Sequence, residues 1–263
     1  MAPMTGLSRA ILFDLDETLV RGHVDADAAW LVICEELAAE LLPLSPAQVA
    51  EAAVSSARHF WGDAERHRQG RLQLASARRK IVAAALASLA QAGHAVPSDD
   101  VARRLADRYS LYRDEILDLF PDAHQVIDAL KARGVLLALV TNGAAEAQRG
   151  KIERFDLARR FDHIQIEGEH GFGKPEERAY THAMQSLGVE AHETWMVGDN
   201  LEWEVAAPQR LGIHAIWCDA VGKGLPPGSS VRPDRIIRTL SELLPQEPDS
   251  EAELARRIAA MPI

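Results

Sequence analysis

Cysteine is nearly absent from this chain, which carries two, Cys34 and Cys218, in 263 residues. They stand far apart and outside any dense spacing, which excludes a disulfide scaffold and fits a reducing cytoplasm. Positive charge is also short. Lysine and arginine number 29 against 39 acids, for a net charge of -10. That balance excludes a general polyanion binder, because nonspecific nucleic-acid binding needs a positive footprint to displace counterions. Long apolar runs are missing too: no segment approaches the roughly 20 uninterrupted apolar residues that span a bilayer, and Met1 to Arg9 lacks the apolar run of a signal sequence. The expectation is a soluble cytoplasmic protein with no nucleic-acid and no membrane partner. Internal repeats and long low-complexity tracts are absent. His23, His59, His67 and the other histidines fall into no zinc-binding spacing, which disfavours a zinc hydrolase.

What the chain does have is apolar material. Hydrophobic residues make up 47% of it, enough to bury a core in one large domain or two modest ones. A small anionic ligand stays open despite the acidic balance, since it needs only a local positive site. Arg58, Arg66, Arg68, Arg71, Arg78, Arg79 and Lys80 form either such a site or a solvated helix face.

Ala10-Ile11-Leu12-Phe13 is a short apolar run followed at once by acids, the pattern of a strand buried on both faces that ends at a site. Three later segments repeat it: Val135 to Val140 before Thr141-Asn142-Gly143, Thr194 to Val197 before Gly198-Asp199-Asn200, and Ile213 to Trp217 before Cys218-Asp219. Helical patterns lie between them, Ala123 to Arg133 closed by Gly134, Ala144 to Arg154, and Glu176 to Leu187 closed by Gly188. Strand and helix in alternation predict an α/β fold with a Rossmann-like parallel sheet. In such sheets ligands bind beyond the carboxyl ends of the strands, so the polar strand ends should converge.

From about Val24 to Asp118 the chain reads as consecutive helices without a strand. Pro43 separates a first helix from a second with Ser45 as N-cap and Pro46 as first helical residue, Leu72 to Ala90 continue the pattern, and Ser98-Asp99-Asp100 mark another start. The predicted division is a catalytic core of residues 1–22 and 119–245, an inserted α-helical cap of 23–118, and a C-terminal linker and short helix over 246–263.

Asp14 and Asp16 follow the first strand with one residue between them, so extended geometry would point both carboxylates the same way. Two acids there need compensation. A divalent cation would supply it, and hard oxygen ligands favour magnesium; a turn in which the acids bond backbone amides is the other reading. Thr141 likewise either caps the helix that follows or holds an anion at its start. Lys174, between Gly173 and Pro175, is ordinary on its own.

Taken together, Asp14-Leu15-Asp16-Glu17-Thr18, Val140-Thr141-Asn142-Gly143, Gly173-Lys174-Pro175 and Val197-Gly198-Asp199-Asn200 resemble, in order, the four motifs of the haloacid dehalogenase-like superfamily. The resemblance covers roughly Arg9 to Cys218, and the helical insertion resembles that superfamily's first cap type. It implies a phosphoric monoester hydrolase, a phosphatase similar to the phosphoglycolate phosphatase-like and nucleotidase-like branch, because dehalogenating members typically lack the second aspartate. It implies Asp14 as nucleophile and Asp16 as acid/base. Thr141, Asn142 and Lys174 would bind phosphate, and Mg2+ would be held by Asp14, Asp199 and the backbone carbonyl of Asp16. The partner is a small phosphorylated metabolite. A phosphomutase and a non-catalytic phosphometabolite-binding protein remain as alternatives. Trp203-Glu204 departs from the Asn-Asp common in the fourth motif, which leaves Glu204 without an assigned role and suggests that Trp203 packs against the core. Pro208 should kink or end the helix after it. Arg21, His23, Trp61 and Arg66 are candidate cap-side contacts or fold supports. None of these motifs bears on oligomeric state.

Overall fold

The computed structural model describes residues 6–22 and 24–245. His23 and the segment expected to form the C-terminal linker and helix lie outside the described residues. Ala10, Ile11, Leu12 and Phe13 have no exposed surface, and a strand so buried needs neighbours on both edges and layers on both faces. As β1 (Ala10–Phe13) they have all of these. β1 is hydrogen-bonded in parallel to β4 (Leu136–Thr141) on one side and β6 (Thr194–Gly198) on the other. β5 (His163–Ile166), β7 (His214–Cys218) and β8 (Arg235–Ile237) extend the sheet to the order β5-β4-β1-β6-β7-β8, all parallel.

Alternate residues of each strand enter different cores. Ile11 and Phe13 pack with Leu137, Leu139, Val126, Ile127 and Leu130, the last three from α7 (Ala123–Ala132). Ala10 and Leu12 pack with Ala138, Val140, Met196 and, from α10 (Glu177–Leu187), Tyr180, Ala183 and Met184. Helices therefore cover both faces, which is the three-layer α/β arrangement expected from the strand and helix alternation. β5 and β8 escape sequence reading because they are short and lack a continuous apolar run. Pro208 ends one helix type and begins another: a π-helix over Leu201–Ala206 gives way to α11 (Ala207–Arg210), with Pro208 in the first turn, where its missing N–H leaves no bond unmade.

Between β1 and β4 the chain builds α1 (Ala26–Glu36), α2 (Ala38–Leu41), α3 (Pro46–Trp61), α4 (Ala64–Leu72), α5 (Leu74–Gln91) and α6 (Asp99–Glu115). These enclose a hydrophobic cluster of their own, including Trp30, Ile33, Val49, Ile81, Val82, Leu105 and Tyr109, with the Trp30 and Tyr109 rings stacked at 3.6 Å. Ser45 and Gln48 form a capping box ahead of Pro46, as the sequence predicts. The run expected to be continuous from Leu72 to Ala90 breaks at Gln73, whose φ of -139° and ψ of 55° separate α4 from α5. The stretch expected to be free of strand contains one at its end. Where the chain leaves and re-enters the sheet, β2 (Val20–Gly22) pairs antiparallel with β3 (Leu117–Leu119). Three residues are too few to show a period of two.

Candidate active site

Asp14 continues the register of β1 by one residue, its N–H donating to Val197 O at 2.9 Å. The chain then turns sharply, with Leu19 N–H on Leu15 O at 2.9 Å and Glu17 at a φ of 59°. Extended geometry ends there, and this corrects the expectation that the two carboxylates face one way. Asp14 Oδ1 accepts from Lys174 Nζ at 2.5 Å and Oδ2 from Thr18 Oγ1 at 3.1 Å. Asp16 instead meets Lys151 Nζ at 2.6 Å and Gln148 Nε2 at 2.9 Å.

Gln148 and Lys151 lie three residues apart on α8 (Ala145–Arg154), so they share a helix face. Gln148 Nε2 also donates to Thr141 Oγ1 at 2.6 Å, so a single buried amide ties the end of β4 to the turn after β1. Thr141 does not cap the helix. The N-cap position belongs to Ala144, which offers no side-chain acceptor, so the start of α8 keeps its positive end for another anion. Gly143, at a φ of 122°, turns its N–H onto Glu167 Oε2 at 3.0 Å. Asn142 uses its side chain on Lys174: Oδ1 accepts from Lys174 N–H at 2.8 Å and Nδ2 donates to Lys174 O at 2.7 Å. Both ends of its amide are thus spent on positioning the lysine. A Cβ at Gly173 would come within 2.5 Å of Asn142 Oδ1, so this clamp needs glycine beside the lysine.

Lys174 has no exposed surface, and its ammonium also lies 2.8 Å from Glu204 Oε1. Glu204 is equally buried, folded over Gly198 so closely that a Cβ there would overlap Glu204 Cγ. Asn200 N–H donates to its other oxygen at 2.8 Å. Burial lifts Glu204 to about 7 although Lys174 opposes the shift, and Asp14 adds to it. Burial likewise lifts Asp199, at the end of β6, to about 8, with Asp14 and Glu204 adding repulsion. Burial also raises Asp14 while Lys174 pulls the other way. Three acids therefore face one buried cation. Such a surplus of negative charge in a pocket of oxygen donors fits a hard divalent cation. Of the donors the resemblance implies, the Asp14 and Asp199 carboxylates are both in this buried acid cluster. Among the described residues these carboxylates do not gather with a third into a group all within 4.8 Å, and the Asp16 carboxylate lies against Lys151.

Over this floor lies the cap. Arg71 on α4 reaches down to Glu167, the first residue of α9 (Glu167–His170), with Nε at 2.7 Å from Oε2 and Nη2 at 2.6 Å from Oε1. Trp203 does not join the core: its ring lies 5.4 Å from that of His67, and the Arg71 guanidinium sits over it at 5.1 Å. Trp61, His67, Arg71, Lys174 and Trp203 line a cavity of about 610 Å³. A second cavity of about 640 Å³ is lined by Glu17, Arg21, Phe120 and Asp199. Arg66 is a fold support, donating to His59 O at 2.8 Å. Arg58 and Arg79 pair with Asp27 and Asp107 on the surface. Arg71 alone of the basic stretch reaches a core strand end. Sequence reading passes over Gln148, Lys151 and Glu167 because each looks like an ordinary helix residue; Arg71 enters it only as one cation of the basic stretch, and Glu204 only as a departure from the fourth motif.

A family model for haloacid dehalogenase-like hydrolases matches residues 8–212. The phosphoserine phosphatase of Thermus thermophilus is 36% identical over 143 residues, which is 54% of this chain and 56% of that protein. The chain thus matches little more than half the length of this relative. Among solved structures, the HAD-hydrolase YfnB of Bacillus subtilis, bound to magnesium, superposes with a TM-score of 0.66 at 24% identity, covering 90% of this chain and 97% of that one. The 2-haloacid dehalogenase of Pseudomonas syringae pv. Tomato gives a TM-score of 0.58 at 24% identity, over 95% of this chain and 100% of that one. These likenesses show a common fold.

Proposed function

Because the chain belongs to the haloacid dehalogenase-like hydrolase family, we propose that it is a magnesium-dependent phosphatase of small phosphate monoesters that works through a phosphorylated Asp14. The observation that carries this reading is the pair Asp14 and Asp199 just past the neighbouring strands β1 and β6, with the buried Lys174 ammonium of the α9–α10 loop on Asp14 and a second acid, Asp16, two residues past the first. The named relatives include both phosphatases and dehalogenases. Asp16 favours phosphoryl transfer, because an alkoxide leaving group needs a proton where a halide does not.

In the first step an Asp14 carboxylate oxygen attacks phosphorus, the ester P–O bond breaks, and the leaving oxygen takes its proton from Asp16. Water then attacks the aspartyl phosphate, giving its proton to Asp16, and Asp14 is released with its own oxygens. To act as the acid, Asp16 turns from Lys151 toward the leaving oxygen. Thr141 and the main-chain N–H of Asn142 would hold phosphate oxygens at the open start of α8, while the Gly143 N–H stays on Glu167. Lys174 would offset charge on the transferred group. Asp14, Asp199 and the Asp16 carbonyl would hold Mg2+, which supplies Lewis-acid polarisation of the phosphoryl oxygens.

Two cavities of about 610 and 640 Å³ beside these residues suit a small metabolite. We take residues 23–118 as the cap that closes over it, on a core of 1–22 and 119–245. A cytoplasmic setting belongs to the same proposal, as Cys34 and Cys218 are free thiols and no described helix is long and apolar enough to cross a membrane. The test is phosphate release from a panel of small phosphate esters, with and without Mg2+, by wild type and Asp14→Asn, alongside halide release from 2-haloacids. Release that needs Mg2+ and is abolished by Asp14→Asn supports the proposal; halide release without phosphate release would overturn it.

A further inference from the structure

His163, His170 and His182 are scattered in sequence, with six and then eleven residues between them. The fold collects them. His163 lies on the edge strand β5, His170 ends the short helix α9, and His182 sits on α10. Their candidate ligand atoms all lie within 4.8 Å of one another, and the rings are 5.1 to 6.3 Å apart between centroids. All three are half-buried, and the Phe172 ring covers His170 and His182 edge-on.

The hydrogen bonds around the trio fix which nitrogens are free. His170 Nδ1 faces Ile166 O at 3.1 Å. A carbonyl can only accept, so Nδ1 carries the proton and the neutral ring keeps its lone pair on Nε2. His182 Nδ1 faces Gln165 Oε1 at 2.7 Å, and Gln165 is oriented by its own Nε2 donating to Ala179 O at 2.8 Å. The Gln165 oxygen therefore accepts, and the lone pair of His182 is again on Nε2. His163 Nε2 is buried with no hydrogen-bond partner among the described residues. A buried imidazole nitrogen without a partner costs free energy that a ligand would recover. Second-sphere bonds from Nδ1 to a carbonyl or amide oxygen are how metal-binding histidines are held.

We propose that His163, His170 and His182 form a zinc site, separate from the Asp14 pocket, with water in the fourth position. Three imidazoles and an open position suit Zn2+, whereas the oxygen donors around Asp14 suit Mg2+. Tetrahedral bonds of about 2.0–2.1 Å bring the nitrogens to roughly 3.3 Å apart, a closure that side-chain rotation supplies. The bound ion joins β5, α9 and α10. It thereby fixes the helix whose Glu167 holds Gly143 and Arg71.

The experiment uses untagged full-length protein, stripped with chelator and kept in excess Mg2+. Co2+ titration followed by visible absorption and equilibrium dialysis should show about one tightly bound equivalent with tetrahedral d–d bands. Zn2+ should displace it and raise Tm. His170→Gln and His182→Gln, checked for folding by circular dichroism, should each lose the bands, while Asp199→Asn should keep them. Should those variants misfold, X-ray absorption of zinc-loaded wild type decides: three nitrogen scatterers support the site. No saturable binding, bands lost in Asp199→Asn but kept in the histidine variants, or an all-oxygen shell would overturn it.

Discussion

The Lys174 ammonium lies 2.5 Å from Asp14 Oδ1, a contact between residues 160 positions apart in which both side chains are buried. Glu204 holds the other side of the same ammonium at 2.8 Å. Replacing Lys174 with methionine keeps the volume and leaves two buried acids unpaired. We expect kcat to fall by about 10²-fold or more, and unfolding free energy by about 3 kcal/mol, read by steady-state kinetics and urea titration. Mg2+ should recover part of the lost stability.

Asp16 is assigned the proton, so its removal should matter according to the leaving group. Asp16→Asn should lower kcat/KM, which reports the phosphorylation step, by about 10²–10⁴-fold for an alkyl phosphate, and by much less for an activated aryl phosphate. Equal losses on both substrates would assign Asp16 a purely structural role.

Arg71 and Glu167 join cap to core by two hydrogen bonds, with side chains only 14% and 4% exposed. Arg71→Ala leaves the Glu167 carboxylate buried with Gly143 N–H as its remaining donor. We expect KM for small esters to rise by about tenfold, with stability lowered by about 3 kcal/mol. Arg71→Lys should recover little, since an ammonium cannot make the paired contact. Hydrogen exchange at residues 142–146 should rise in both variants.

Burial holds the Glu204 proton up to about 7 against the opposing pull of Lys174. The folded state therefore keeps this proton over a pH range in which the unfolded chain, titrating near 4.3, has lost it. Stability from this group is complete below about pH 4.3 and is lost as pH rises toward 7. In chelator-treated protein, Glu204→Gln should flatten that part of the stability profile, measured by urea unfolding at stepped pH. An unchanged slope would remove Glu204 as its source.

The strands at Ala10–Phe13, Leu136–Thr141 and Thr194–Gly198 were legible because burial on both faces writes itself as a continuous apolar run. So were Asp14, Thr141, Lys174 and Asp199, each placed just past such a run or between helix-breaking residues. Asp16 was legible as a residue but not in direction, since the turn that swings it to Lys151 depends on a positive φ at Glu17 that glutamate does not advertise. The contacts of Gln148, Arg71 and Glu167 were illegible for another reason. Their partners lie 132, 96 and 24 residues away, and only the packed fold creates those pairs. The histidine trio is the same case, assembled from a strand and two helices.

Phosphate passes through Asp14 in the proposed mechanism, and the direct test is borohydride reduction of acid-quenched enzyme taken during turnover with Mg2+. An acyl phosphate is reduced to an alcohol, so peptide mass spectrometry should find homoserine at position 14 in wild type. With an activated aryl phosphate as substrate, more should accumulate in Asp16→Asn, where formation of the intermediate is spared and its breakdown slowed. Phosphate release with position 14 left as aspartate in both proteins, or reduction at another residue, would contradict the account.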